Sequence, residues 1–356
     1  MGLIERDKMM DKTNKVIQEL GNNDEDLIID IMRGDSGHNN DDNAEDTDKN
    51  AHISEVISKL GNESIARRIA KMYKKHFKGR LIRILCVLAI IMLITVLCVN
   101  IVINKNFTVT FYQIRSEKVS DNIRIIELAD LHNKQYGENN AKLIDRIKAL
   151  HPDLIFYAGD MMNYEDSDYS VLFDLSDSLS KIAPIYACYG NNELDQYLFC
   201  DKEFTKNLEK HGVELLSNEK TEITVGKSNF QLIAVSEGVQ QYDVATNNAK
   251  KFIEKLEPTE LCRICLVHYP ELFLEKLTDK DIDIAFTGHA HGGLVRLPKI
   301  GGIYSTGEGF FPTLTSGVNE MDDGTKVVVS RGLGSSSFIP RINNQPELVV
   351  TDICWY

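Results

Sequence analysis

The stretch IRIIELADLH, residues 123–132, decides the fold, because an apolar run typical of a buried strand ends directly in Asp130 and His132. Four later stretches repeat this arrangement of an apolar run followed by side chains that can bind a metal. They are LIFYAGD at 154–160, IYACYGNNE at 185–193, CRICLVH at 262–268 and IAFTGHAH at 284–291. Loops at strand ends hold ligands over a rigid sheet, so the five stretches predict one shared site.

Helical patterns separate most of these predicted strands. The sequence predicts helices at 141–150, 171–182 and 249–256, and a further helix that begins at Pro270. Additional strands are predicted at 107–111, 230–235, 327–329 and 348–350. Alternation of this kind favours an α/β domain, in which the ligand crevice lies at the carboxyl ends of the strands.

Residues 84–103, ILCVLAIIMLITVLCVNIVI, carry no charge and contain only Thr95 and Asn100 as polar residues. About 20 apolar residues in a helix span a bilayer core, so the run predicts one uncleaved signal anchor. A basic cluster lies on its N-terminal side only, at Arg67, Arg68, Lys71, Lys74, Lys75, Lys78, Arg80 and Arg83. The positive-inside rule therefore predicts a single-pass protein of the cell membrane, with a cytoplasmic N-terminus and an extracytoplasmic C-terminal domain.

The anchor divides the chain into four predicted parts. Residues 1–80 form a cytoplasmic region with an acidic and a basic part, partly disordered and with short helices. Residues 84–103 are the anchor, residues 104–120 a stem, and residues 121–356 the folded domain.

The net charge argues against one class of function. The formal value of −13 argues against a general nucleic-acid binder, because no positive surplus exists to contact a phosphate backbone.

The cysteines do not form a disulfide framework. Cys262 and Cys265 form a lone C-x-x-C within an apolar, strand-like run. We interpret them as buried core cysteines, with a redox pair as the alternative.

The candidate ligands form a mixed nitrogen and oxygen set without thiolate. This set suits Mn, Fe or Zn better than calcium or a structural zinc site. The predicted metal ligands are Asp130, His132, Asp160, Asn191, His268, His289 and His291.

The ordered series D-x-H, G-D-x-x-N, G-N-x-E, H and G-H-x-H resembles the motifs of calcineurin-like metallophosphoesterases. The continuations at 292–298 and 329–334 are similar to a membrane-associated bacterial branch with hydrolases resembling UDP-diacylglucosamine pyrophosphatase. The resemblance covers roughly residues 120–356. It implies a four-layer α-β-β-α sandwich, here preceded by a single transmembrane helix and the partly disordered N-terminal region.

The resemblance also implies two divalent metal ions and a role for each ligand. One metal is expected on Asp130, His132, Asp160 and His291, and the second on Asp160, Asn191, His268 and His289. Asp160 would bridge the two ions, and Asn163 and Glu193 would support the site. A hydroxide bridging the ions is expected to attack phosphorus, with Asp130, Asp160 and Asn192 as the catalytic residues.

Two positions qualify this expectation. The family commonly has histidine where this chain has Asn192, and an amide cannot act as a general acid at neutral pH. Substrates with good leaving groups, such as diesters and pyrophosphates, are therefore favoured over monoesters. Arg331 is a candidate phosphate contact, with a structural salt bridge as the alternative.

The sequence thus predicts a membrane-anchored phosphodiesterase or pyrophosphatase with a phosphate-containing substrate. The tether favours a lipid-linked or envelope-polymer substrate. The alternative is a metal- and ligand-binding membrane sensor with little or no catalysis, which relays binding to the N-terminal region.

Overall fold

The computed structural model describes residues 63–164, 166–195, 203–236, 243–305, 307–337 and 339–355. The chain divides into two compact units, Met1–Ile90 and Ile91–Tyr356. Most of the predicted cytoplasmic region, with its expected short helices and disorder, falls in residues 1–62 and lies outside the described residues.

A long helix, α1, spans Glu63–Asn104 and contains the predicted apolar run. Its segment Phe77–Asn104 is long and apolar enough to cross a membrane, and is alone in this among the described helices. The apolar side chains of this segment are exposed, as at Ile94 (54%) and Val102 (62%). This exposure argues against a core helix, which would be mostly buried.

Sheet 1 combines strands that lie far apart along the chain. Its strands are β1 (Thr108–Arg115), β2 (Ile123–Leu128), β3 (Leu154–Tyr157), β4 (Ile185–Cys188), β5 (Val213–Leu216) and β16 (Glu347–Cys354). Their order is β1-β16-β2-β3-β4-β5. Strands β2 to β5 run parallel, and β16 is parallel to β1 but antiparallel to β2.

Sheet 2 is also mixed. Its strands are β6 (Glu219–Val225), β7 (Ser228–Val235), β8 (Cys262–Val267), β9 (Ile284–Thr287), β14 (Gly317–Glu320) and β15 (Lys326–Val329). Their order is β14-β15-β9-β8-β7-β6. Strands β7, β8, β9 and β15 run parallel, and β6 and β14 are antiparallel edges.

Alternating side chains along the strands fill three apolar cores. In β2, Ile126 and Leu128 pack on the helix-covered face of sheet 1, and Ile125 packs between the sheets. In β7, Ile233 and Val235 pack on the outer face of sheet 2. The helices of the domain are α2 (Ala141–Leu150), α3 (Ser170–Leu179), α4 (Asn191–Asp195), α5 (Phe204–Lys210), α6 (Asp243–Glu254) and α7 (Leu272–Glu275).

Residues 108–115, which the sequence analysis places in a stem, form β1 and belong to sheet 1. The strand pairs with β16 over its full length, from Thr108 opposite Glu347 to Arg115 opposite Cys354. The folded domain therefore begins directly after α1. Pairing between segments some 240 residues apart leaves no local sequence pattern. The sequence therefore predicts the strand but does not indicate which sheet it joins.

Cys262 and Cys265 lie on opposite faces of β8. Cys262 packs in the core between the sheets, and Cys265 packs in the outer core of sheet 2. Residues three apart in a strand point to opposite sides, so these thiols cannot pair with each other. The structure favours the buried-core interpretation.

Candidate metal centre

The loops after five strands converge where the two sheets meet. Sheet 1 supplies the residues that follow β2, β3 and β4, and sheet 2 supplies those that follow β8 and β9. Backbone hydrogen bonds join neighbouring loops. Asp130 N–H donates to Gly159 O at 2.9 Å, and Gly288 N–H donates to His268 O at 3.1 Å. Parallel strands thus bring their carboxyl ends to one place, as the sequence predicts.

Asp130, His132 and His291 form one tight group of ligand atoms, all within 4.8 Å of one another. His291 Nε2 lies 3.6 Å from Asp130 Oδ1 and 3.4 Å from His132 Nε2. All three residues are buried. Two imidazoles and a carboxylate at this spacing could hold one metal ion.

Asp130, Asp160 and His268 form a second group within the same 4.8 Å limit. His268 Nε2 lies 3.5 Å from Asp160 Oδ2 and 3.8 Å from Asp130 Oδ1. Asp160 Oδ2 also lies 3.8 Å from His132 Nε2 of the first group. The two groups are therefore adjacent: both contain Asp130, and Asp160 lies near a histidine of each, an arrangement that could hold two cations.

Asn191 and His289 lie at the edge of these groups. The side-chain amide of Asn191 lies 3.3 Å from Asp160 Oδ2. The His289 ring packs edge-on against His268, with centroids 5.1 Å apart. The backbone N–H of His289 donates to Asp130 Oδ1 at 3.1 Å.

Five ligand residues have a left-handed backbone, which L-residues with side chains rarely adopt. Their φ angles are 50° at Asp130, 49° at His132, 54° at Asp160, 63° at His289 and 47° at His291. Strain of this kind persists where the surroundings fix it, and it clusters at functional sites. In this site it turns consecutive side chains of the short loops toward one point.

Two imidazoles are oriented by hydrogen bonds on the nitrogen that faces away from the centre. His268 Nδ1 lies 2.8 Å from Ala158 O, and His132 Nδ1 lies 3.1 Å from Asn163 Oδ1. Because a carbonyl oxygen only accepts, each Nδ1 carries a proton and each Nε2 faces the site. Asn163 thus holds His132 in a ligating orientation.

Glu193 fastens the loops that carry Asp160 and Asn191. Its buried carboxylate accepts the backbone N–H groups of Asp160 at 2.8 Å, Met161 at 2.7 Å, Gly190 at 2.9 Å and Met162 at 3.3 Å. Burial and the nearby charge of Asp160 raise the pKa of Glu193 to about 7. One carboxylate therefore ties the β3 loop to the start of α4.

Asn192 contacts Asp160 directly. Its Nδ2 donates to Asp160 Oδ2 at 2.7 Å, and its backbone N–H donates to Asp160 Oδ1 at 2.9 Å. Its Oδ1 accepts the N–H of Tyr164 at 2.9 Å. Both ends of the amide form hydrogen bonds, so Asn192 positions the carboxylate of Asp160.

The electrostatics fit a site built for cations. Burial alone would raise the pKa of Asp160, but His268 and His132 hold it below its usual range. Burial lowers the pKa of His268, but Asp160 and Asp130 outweigh it and raise that pKa to about 10. Asp130 Oδ2 and His268 Nε2 are both buried without a hydrogen-bond partner among the described residues. A divalent cation would satisfy these atoms together, so the residues fit the implied metals.

Arg341 and Asn344 hold His291, and sequence reasoning missed both because no motif contains them. The Arg341 guanidinium lies 3.2 Å from His291 Nδ1, and Asn344 Nδ2 donates to His291 O at 2.7 Å. Burial lowers the pKa of Arg341 to about 10. Arg331 instead forms an ion pair with buried Glu347 at 3.1 Å, so the salt-bridge alternative accounts for its position.

Residues 123–293 match the family model described as calcineurin-like phosphoesterase. Phosphodiesterase YaeI of Escherichia coli K12 is 27% identical over 239 residues, which cover 65% of this chain and 82% of that protein. An uncharacterized metallophosphoesterase of Aquifex aeolicus is 28% identical over 255 residues, covering 68% and 90%. Among solved structures, phosphopantetheinyl hydrolase PptH from Mycobacterium tuberculosis aligns with a TM-score of 0.39 and 12% identity, covering 61% of this chain and 92% of that one.

Replacing Glu193 with glutamine removes the charge that binds four backbone N–H groups. We expect Glu193→Gln to lower the free energy of unfolding by about 1.5–3 kcal/mol, the usual loss for hydrogen bonds to a charged group. Chemical denaturation of the detergent-solubilised chain, followed by circular dichroism, measures this loss. Glu209→Gln, at an exposed position of α5, is the matched control and should change stability little. Equal stability of the two variants would contradict the role given to Glu193.

Metal content should depend strongly on Asp160, whose Oδ2 lies 3.5 Å from His268 Nε2 and 3.8 Å from His132 Nε2. We expect the unsubstituted chain to retain about two divalent ions per molecule, and Asp160→Ala to lose both. Inductively coupled plasma mass spectrometry after gel filtration measures the content. Asp145→Ala, on the exposed face of α2, should retain the full amount. Unchanged metal in Asp160→Ala would show that the ions bind elsewhere.

Proposed function

We propose that the chain, whose residues 123–293 match the calcineurin-like phosphoesterase family model, hydrolyses phosphodiester or pyrophosphate bonds with two divalent cations. The chain is a metal-dependent phosphoester hydrolase. The position of Asp160 is the main support for a site with two cations. Its Oδ2 lies 3.8 Å from His132 Nε2 of one ligand group and 3.5 Å from His268 Nε2 of the other.

We assign all seven predicted ligands to this centre, although Asn191 and His289 lie outside the two tight groups. Asn191 adds a side-chain amide next to Asp160, and an amide oxygen can serve as a ligand. Burial and the nearby His268 lower the pKa of His289 to about 3, which keeps its imidazole in the neutral, ligating form. Mn, Fe and Zn all suit this mixed set of nitrogen and oxygen ligands.

Two cations held there supply a nucleophile at neutral pH and neutralise the charge of the phosphate. The residues of the chain position these partners. The side chain of Asn192 holds the carboxylate of Asp160, and the carboxylate of Glu193 holds its backbone N–H. Asn163 orients His132, and the Ala158 carbonyl orients His268, so neither ring must rotate before substrate binds.

Diesters and pyrophosphates suit this site better than monoesters with poor leaving groups. The amide of Asn192 is bound to Asp160 and Tyr164 and has no proton to give to a leaving oxygen. A good leaving group needs no such donor. The similarity to a protein named phosphodiesterase YaeI supports the same choice.

We further propose that α1 anchors the protein in the cell membrane with the N-terminus in the cytoplasm. The exposed apolar segment Phe77–Asn104 and the basic cluster on the N-terminal side of its uncharged run support this orientation. The catalytic domain then lies outside, where a lipid-linked or envelope-polymer phosphoester is the expected substrate. The three apolar cores also support the four-layer arrangement that the resemblance implies.

Activity against an aryl phosphodiester tests the proposed reaction. With Mn²⁺ added, we expect the full-length chain in detergent to hydrolyse bis(p-nitrophenyl) phosphate. Asp160→Ala and His268→Ala should each lose at least about 10²-fold in kcat/KM, since each removes a ligand of the nucleophile-generating ions. Asp145→Ala should keep the rate. A chain that holds two metals yet hydrolyses no monoester, diester or pyrophosphate would favour the sensor alternative.

Protease added to intact cells tests the orientation. We expect the domain after α1 to be degraded from outside, because the basic cluster keeps residues before α1 in the cytoplasm. An epitope tag at the C-terminus, read by immunoblotting, reports the result, and a cytoplasmic protein of the same cells serves as the control. Protection of the tag in intact cells, with loss after lysis, would reverse the orientation.

A further inference from the structure

Five large apolar side chains are exposed on loops next to the metal centre. They lie on residues 294–313, which follow the ligand His291, and on residues 335–340, which precede Arg341. Their exposed fractions are 45% at Leu297, 62% at Ile300, 73% at Phe310, 68% at Phe311 and 40% at Ile339. We call these five residues the apolar rim. Clustered exposed side chains of this size mark a surface that contacts something other than water.

Two short hairpins carry four of the five rim residues. Strand β10 (Arg296–Leu297) pairs with β11 (Gly301–Gly302), so Ile300 lies at the tip between them. Strand β12 (Tyr304–Ser305) pairs with β13 (Gly309–Phe310). The N–H of Phe311 then donates to Ile303 O at 2.8 Å, which joins the second hairpin to the residue after the first. Leu297, Ile300, Phe310 and Phe311 therefore lie on one connected structure, and Ile339 lies on a separate segment.

Hydrogen bonds join the rim to the end of α1. Asn104 Nδ2 donates to Arg341 O at 2.8 Å, and Asn100 Oδ1 accepts the N–H of Asn343 at 3.2 Å. Asn343 Nδ2 in turn donates to Arg296 O at 3.1 Å, directly before Leu297 of the rim. Exposed apolar side chains of α1, such as Val99 and Ile101, lie on the same helix end. The end of α1 that carries these apolar side chains is thus joined by hydrogen bonds to the residue directly before the rim.

The same helix end is connected to the metal ligands. Arg341, whose carbonyl binds α1, places its guanidinium on His291. On the other side of α1, Lys134 Nζ donates to Asn104 O at 2.9 Å, two residues after the ligand His132. The metal centre therefore lies within a few residues of the helix end through two separate contacts.

We infer that the apolar rim lies in the interfacial layer of the bilayer that α1 enters, and that it holds the metal centre at the level of lipid phosphate groups. The inference rests on the proposed anchoring and narrows the substrate to a phosphoester carried by the bilayer. Aromatic side chains favour the membrane interface, and the exposed rings of Phe310 and Phe311 would lie there. The exposed Lys299 beside Ile300 adds a cation for the headgroups.

Tryptophan fluorescence measures the depth of the rim. Trp355 is the single tryptophan of the chain, so Trp355→Phe gives a dark background for one introduced reporter. The full-length chain is reconstituted in vesicles of phosphatidylcholine and phosphatidylglycerol with brominated acyl chains, which quench tryptophan on contact. We expect Phe311→Trp to be quenched and Val318→Trp, an exposed apolar position on β14, to remain bright.

A third reporter, Val96→Trp within α1, tests the membrane anchor separately from the rim. Quenching at 96 together with a bright reporter at 311 would overturn the rim inference and leave the anchor intact. Bright reporters at both positions would overturn the anchor itself. A rim covered by a partner protein or a second copy of this chain would also leave 311 unquenched.

The ratio of two rates tests the consequence for substrate. One substrate is a phosphatidyl-p-nitrophenol in the vesicle, and the other is soluble bis(p-nitrophenyl) phosphate. We expect Phe311→Glu to lower the ratio of vesicle-borne to soluble hydrolysis by about tenfold or more, the loss expected for one buried aromatic side chain. Val318→Glu should keep the ratio of the unsubstituted chain. An equal ratio in the two variants would show that the rim does not present substrate.

Discussion

The structure depends on two buried carboxylates that face imidazole nitrogens at the junction of the sheets. Asp130 and Asp160 are almost completely buried and lie within 4 Å of His268 Nε2. Two like charges in such a place are costly unless a cation compensates them. The surrounding loops keep the arrangement because Glu193, Asn192 and the Ala158 carbonyl fix each group. Strained backbone at five ligands is tolerated for the same reason.

Much of the fold could be read from the sequence, because apolar runs and polar strand ends are local signals. The predicted helix at 141–150 and the predicted strands at 123–128 and 262–267 agree with α2, β2 and β8. The ligand stretches also come together as expected, since parallel strands place their carboxyl ends side by side. The short strands β10 to β13 escaped prediction, because pairs of two residues carry no periodicity.

Contacts between distant segments explain the remaining gaps. Arg341 lies 50 residues from His291 in the chain, and nothing in its surroundings there suggests a contact with a ligand. Lys134 is similar, since only the folded chain brings its ammonium to the last turn of α1. The roles of Asn192 and Arg331 depended on side-chain geometry that a motif does not contain. In both cases the neighbours, Asp160 and Glu347, decide what the residue does.

The pairing of β1 with β16 has a consequence for the order of folding. Strand β1 follows α1 directly, but its hydrogen-bonding partner comes roughly 240 residues later. Strand β16 also lies between β1 and β2, so β1 has no neighbour in sheet 1 before residues 347–354 are present. A ribosome delivers the chain from the N-terminus, so sheet 1 cannot be completed in step with synthesis. The edge of β1 beside the helix stays unpaired until residues 347–354 have emerged.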